Sequence, residues 1–170
     1  MSLSNLKTRK ILGIDPGTLL TGYGIIEIDE KRQFKAIDYG CVRPPATLPL
    51  TARYKIIFQA VAELLDRYAP EAIAVETQYI HKNPQSGLKL GMARGVAVLA
   101  GALREIPIFE YAPSRAKRAV VGNGNASKIQ VQAMVQRLLA LPSLPIPEDA
   151  ADALALAICH GQAFSLGTRI

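Results

Sequence analysis

Apolar residues recur along this chain with two periods, and the switches between them mark out nine elements. Residues 10–15, 22–29 and 34–42 are short runs rich in Ile, Tyr and Val, separated by turn residues, the pattern of three strands. Residues 50–68 change to helical spacing, with Ile56, Ile57, Ala60, Val61, Leu64 and Leu65 on one face. Residues 72–76, AIAVE, read as a short buried-type strand ending on a carboxylate. The polar stretch TQYIHKNPQ follows. Ser86 is then placed to cap a helix to about residue 104, because its hydroxyl can accept from the first free N–H groups. Residues 107–111 read as a fifth strand and VVGNGNASK as a loop. Ser127 can cap a helix over 127–139, and the proline-rich LPSLPIPE leads into a last helix over 148–164.

This order, βββαβαβαα, predicts an α/β fold. An antiparallel three-strand meander followed by strand–helix alternation gives a five-stranded mixed sheet flanked by helices. A right-handed crossover sets the fourth strand beside the first and parallel to it. Asp15 and Glu76 then share the carboxyl end of neighbouring strands, where open α/β sheets bind ligands.

Composition narrows the class. A length of 170 residues is one domain's worth, and 49% apolar with 20% charged residues is that of an ordinary globular protein. Cys41 and Cys159 are far apart and form no CxxC, which suits a reducing compartment and offers no zinc site. The start, MSLSNLKTRK, lacks the apolar core of a secretory signal. The most apolar window, 95–103, is too short to span a bilayer, so no membrane partner and a cytoplasmic location are expected. Charge is uneven. From Lys82 to Arg137 there are nine Lys and Arg against Glu105 and Glu110, a local +7 in a chain of net +6. That concentration fits either a polyanionic partner or scattered solvated cations.

Four acids carry the candidate chemistry. Asp149 and Asp152 are three apart at the start of the last helix, hence neighbours on one face. With Asp15 and Glu76 they can converge on one sheet end. Taken singly, Asp149 also fits a first-turn acid answering the helix dipole, and Glu76 a strand-end surface acid. Together those readings weaken, because carboxylates within about 5 Å repel by ~3 kcal/mol per pair at an effective dielectric near 20. A hard divalent cation makes such a cluster tolerable, and oxygen-only ligands select Mg²⁺ or Mn²⁺ over zinc. Two ions roughly 4 Å apart can activate a water and stabilise the leaving oxygen of a phosphodiester.

The segments GIDPGTLLTGYG, VETQYIHKNPQSGLKLGMARG, YAPSRAKRAVVGNGNASKIQVQ and DAADALALAICH together resemble the RuvC family of Holliday junction resolvases, from about residue 11 to residue 160. The resemblance implies an RNase H-like fold and a single nuclease domain over 1–170, with flexible ends at 1–9 and 165–170. It implies that Asp15, Glu76, Asp149 and Asp152 are the catalytic acids and bind Mg²⁺, two ions per active site, with Mn²⁺ able to substitute. It further implies a homodimer that nicks four-way junction DNA in pairs during homologous recombination and repair, alongside the RuvA and RuvB branch-migration complex. Actin-like and sugar-kinase ATPases share the fold and opening turn but need two such domains, at least twice this length. Two other readings stay open. A YqgF-type nuclease acting on RNA is disfavoured by the helix-end acid pair and the basic 117–128 region, and a non-catalytic junction binder by the presence of every acid.

Around this core, Tyr79 lies three residues after Glu76 and can stack on an unpaired base; the family commonly has Phe there. Lys117 and Lys128 match basic residues that the family uses on DNA phosphates, and Arg118 and Arg115 join them by proximity. The GNGN loop offers backbone N–H groups to a phosphate or is simply a turn. His81 and His160 read as surface or helix-end residues. Gly87, Gly91 and Gly95 recur every four residues, and each costs about 1 kcal/mol relative to Ala in a helix, which points to a smooth packing face. That face can meet its own sheet or a two-fold partner; a dimer matches the symmetry of a four-way junction.

Overall fold

The structure, a computed structural model, describes residues 8–77 and 83–165. Three strands form first: β1 (Arg9–Asp15), β2 (Thr21–Ile28) and β3 (Phe34–Val42). The helix α1 (Leu50–Tyr68) then crosses to β4 (Ala72–Glu76), and α2 (Pro84–Ala102) to β5 (Ile108–Tyr111). Three helices close the chain: α3 (Pro113–Val121), α4 (Lys128–Leu138) and α5 (Glu148–Ser165). The sheet order is β3-β2-β1-β4-β5, antiparallel in the meander and parallel from β1 through β4 to β5. The expected mixed sheet, with the fourth strand against the first, is what forms.

Each face of the sheet carries its own core. Leu12, Ile14, Ile73 and Val75 pack under α1 and α2, while Ile11 and Ala74 pack with α3, α4 and α5. Because side chains alternate along a strand, Asp15 and Glu76 fall in the second set. They point to the α5 face, one step beyond the apolar residues. Asp15 continues a register that pairs Ile14 with Val75, so the two acids end adjacent strands.

Glycine brings α5 down onto that face. A Cβ built on Gly13 would lie 1.9 Å from the Ala153 carbonyl oxygen, and one on Gly22 would lie 2.1 Å from that of Asp149. A Cβ on Gly24 would lie 2.7 Å from the Leu154 side chain and 2.9 Å from its backbone nitrogen. Three side-chain-free positions on β1 and β2 thus form a track on which the backbone of α5 rests. The helix itself is apolar almost all round, with Ala150, Ala151 and the run from Ala153 to His160 buried, as a helix between a sheet and two other helices must be.

Two local expectations are corrected. The helix after β4 is capped by Asn83, not Ser86. The Asn83 side chain accepts from the N–H groups of Gln85 and Ser86, and Pro84 takes the first helical position, where its missing N–H costs nothing. Residues after β5 form α3, which the apolar pattern does not announce. It buries only Ala116 and Val120, and its N-cap, Ala112, has no capping side chain. Ser127 does cap α4, in a reciprocal box with Gln130.

Candidate active site

The turn after Asp15 is closed by its own side chains. Buried Thr21 donates its hydroxyl to the Gly17 carbonyl at 2.7 Å and accepts from the Gly17 N–H at 3.2 Å. A glycine N–H spent in this way is not offered to a nucleotide phosphate. The turn serves instead to end β1 sharply, with Asp15 at the sheet rim.

Asp15, Glu76, Asp149 and Asp152 line one cleft of about 270 Å³, with Lys117 and Lys128 at its flank. Three elements supply the acids: Asp15 closes β1, Glu76 closes β4, and the other two lie in the first turns of α5. Burial raises the Asp15 carboxyl to about 8, with the charges of Glu76, Asp152 and Asp149 adding to it. Glu76 is raised to about 7, again by burial first and then by Asp152. Asp152 is raised by burial, against the pull of Lys128 and Lys117. Asp15 and Glu76 hold protons near neutral pH chiefly because they are buried, and the only opposite charges lining the cleft are the ammonium groups of Lys117 and Lys128.

This donor set fits a hard divalent cation. All four lining donors are carboxylates, and neither histidine nor cysteine lines the cleft. Among the described residues no group of three or more His, Cys, Asp and Glu is already drawn together tightly enough to hold an ion. The four carboxyls share one cleft. Burial pushes the thiol of Cys41, on β3, up to about 11, and the charges of Asp149 and Asp15 add to it, which keeps the thiol protonated at neutral pH.

The remaining candidates divide. Lys128 extends over the cleft mouth and its ammonium meets Glu148 at 2.8 Å. Arg118 faces the loop instead: a Cβ on Gly124 would lie 3.5 Å from its guanidinium. Arg115 covers the Tyr111 ring at 4.9 Å. His160 is fully buried, contrary to its reading as a surface or helix-end residue. Its Nδ1 shares a 2.7 Å hydrogen bond with the Tyr111 hydroxyl, its ring stacks on Phe109, and burial lowers it to about 4. It clamps α5 to β5 and takes no part in the cleft. Tyr79 and His81 lie outside the described residues. Gly91 and Gly95 open onto free space, while Ala93, Ala97 and Ala100 of the same helix are buried, so the glycine face of α2 does not pack on its own sheet. Sequence reading missed the three glycines under α5; glycine inside an otherwise β-branched strand is the signal that could have found them.

Residues 11–160 match the family described as crossover junction endodeoxyribonuclease RuvC. The chain belongs to the RuvC family. A RuvC relative from Protochlamydia amoebophila is 62% identical over 152 residues, covering 89% of this chain and 90% of the relative. The structure is similar to that of Thermus thermophilus RuvC, with a TM-score of 0.85 at 33% identity, covering 94% of this chain and 97% of the other. It superposes equally well, at 30% identity and the same coverage, on T. thermophilus RuvC in complex with a Holliday junction substrate. A RuvC-family nuclease works with a divalent metal, in accord with the all-oxygen cleft. Among the described residues no helix is long and apolar enough to cross a membrane.

Proposed function

We propose that this protein resolves four-way DNA junctions by paired phosphodiester hydrolysis, with Asp15, Glu76, Asp149 and Asp152 as its metal-binding acids, in homologous recombination and repair in the cytoplasm. The observation that carries this reading is the convergence of four acids from three elements in one cleft flanked by Lys117 and Lys128. When bound, Mg²⁺ (two ions per site, with Mn²⁺ as a substitute) supplies Lewis acidity at the scissile phosphate and lowers the proton affinity of a nearby water. The chain's own residues do the rest. The acids would hold the metal, and the two lysines receive the phosphates beside the scissile one. Tyr79 stacks on a base unpaired at the crossover.

The paired nicks require two sites in two-fold relation. A homodimer through α2 suits this. Its outward face carries Gly91 and Gly95 beside exposed Leu88, Met92, Leu99 and Leu103, an apolar stripe with room for close helix contact. Work with a RuvA and RuvB branch-migration complex follows from the same family reading.

The test is cleavage of a synthetic four-way junction, with Mg²⁺ and with EDTA, by the wild type and by Asp15→Asn. Paired nicks are expected only from the wild type with Mg²⁺. Asp15→Asn should bind the junction as tightly or more tightly, because an amide cannot ionise and repel the phosphate. Mg²⁺-dependent cutting by Asp15→Asn would remove the metal-site reading.

A further inference from the structure

We propose that Glu148 is a positioning residue for the nuclease reaction, seating the Lys128 ammonium at the mouth of the acid cleft. The two residues open consecutive helices, Lys128 directly after the Ser127 cap of α4 and Glu148 at the start of α5. Their charged groups meet at 2.8 Å, with the side chains 60% and 49% exposed. Lys128 lines the cleft and Glu148 does not. The ammonium therefore stands between the four acids and a fifth carboxylate outside their set, and that fifth one holds it by hydrogen bond.

The placement matters because a lysine amine rides on a flexible four-carbon stem. Without Glu148, the negative charges left acting on the ammonium are those of Asp152 and Asp149, and they would draw it in among the acids. A divalent cation among those acids would instead drive it out toward solvent. Glu148 offers a counter-charge in both circumstances and keeps the amine where a phosphate oxygen arrives. The alternative is a first-turn acid that answers the dipole of α5, which would act without any help from Lys128. The proposal rests on the reading of Lys128 as a phosphate contact.

A double-mutant cycle separates these cases: Glu148→Gln, Lys128→Ala and the pair. Each variant is measured for junction cleavage with Mg²⁺, for metal-free junction affinity against salt, and for melting temperature. Glu148→Gln should slow cleavage about two- to fivefold, the range an exposed ion pair supports. It should also flatten the salt dependence of metal-free binding toward that of Lys128→Ala, up to about one unit of slope. The double variant should match Lys128→Ala in both. If the Glu148→Gln losses persist in full on the Lys128→Ala background, or if Glu148→Gln behaves as wild type, Glu148 does not position Lys128. If Lys128→Ala itself leaves rate and slope unchanged, the phosphate reading of Lys128 fails and the proposal goes with it.

Discussion

Replacing Gly22 with alanine adds one methyl group where the first turn of α5 lies against the sheet. The new Cβ would sit 2.1 Å from the Asp149 carbonyl oxygen and 2.5 Å from its carbonyl carbon. Both atoms are backbone, so no rotamer change relieves the contact. Restoring a tolerable separation of 3.0 Å requires roughly 0.9 Å of movement at the start of the helix. One turn on, Ala153 rests on Gly13, and this second support makes the helix end pivot upward rather than slide. Overpacking of this size costs about 1–3 kcal/mol, which a domain with ~5–15 kcal/mol of stability survives. The melting temperature should fall by about 3–10 °C. Catalysis should suffer more, because Asp149 moves with the helix end, and a displacement near 1 Å can cost about a hundredfold in rate. Metal-free junction affinity should stay within a few-fold, since Lys117 and Lys128 stand on α3 and α4. The assay is cleavage under single-turnover conditions beside equilibrium binding and a thermal melt. A Gly22→Ala protein that cuts at the wild-type rate would refute the claim that this contact sets the position of Asp149.

The raised carboxyls make metal-free stability depend on pH. With Asp15 near 8 and Glu76 near 7 in the folded state and both near 4 when unfolded, the folded state binds more protons between about pH 4 and 8, so stability falls as pH rises. Buried His160, lowered to about 4, acts in the opposite direction below pH 6.5, which leaves pH 6.5 to 8 as the clean window. Across it the fold should lose about 2 kcal/mol in EDTA, or some 4–8 °C of melting temperature. Asp15→Asn should lose most of that dependence, and a full slope in that variant would show that the acids do not share a field. Lys117→Ala should weaken junction binding for every sequence and reduce the salt slope by about one unit; an unchanged slope would move the DNA path elsewhere. Tyr79→Ala should lower cutting far more than affinity, while Tyr79→Phe stays close to wild type, because stacking uses the ring. A Phe variant as poor as Ala would point to the hydroxyl.

Much of this molecule is legible in its sequence because two signals in it are local. Hydrophobic period separates the strands from the long helices. The rules of strand connection then place β4 beside β1, and with it Glu76 beside Asp15. Capping chemistry is local too, as at Ser127 and Gln130, although at α2 the choice between Asn83 and Ser86 is decided by a proline that occupies the first helical turn. The helix α3 escapes such reading because nine residues with two buried positions carry almost no period. Other features depend on distances between segments far apart in the chain, which no local pattern encodes. That Gly13 and Gly22 meet Ala153 and Asp149 is fixed only when α5 lies down on the sheet. The burial of His160 against Tyr111 and Phe109 follows from the same docking, and so does the meeting of Lys128 with Glu148 across two helix starts. The sequence by itself determined which acids are present and which strands carry two of them. The tertiary structure decided how closely the other two approach, because that distance is set by a backbone-to-backbone contact that only glycine permits.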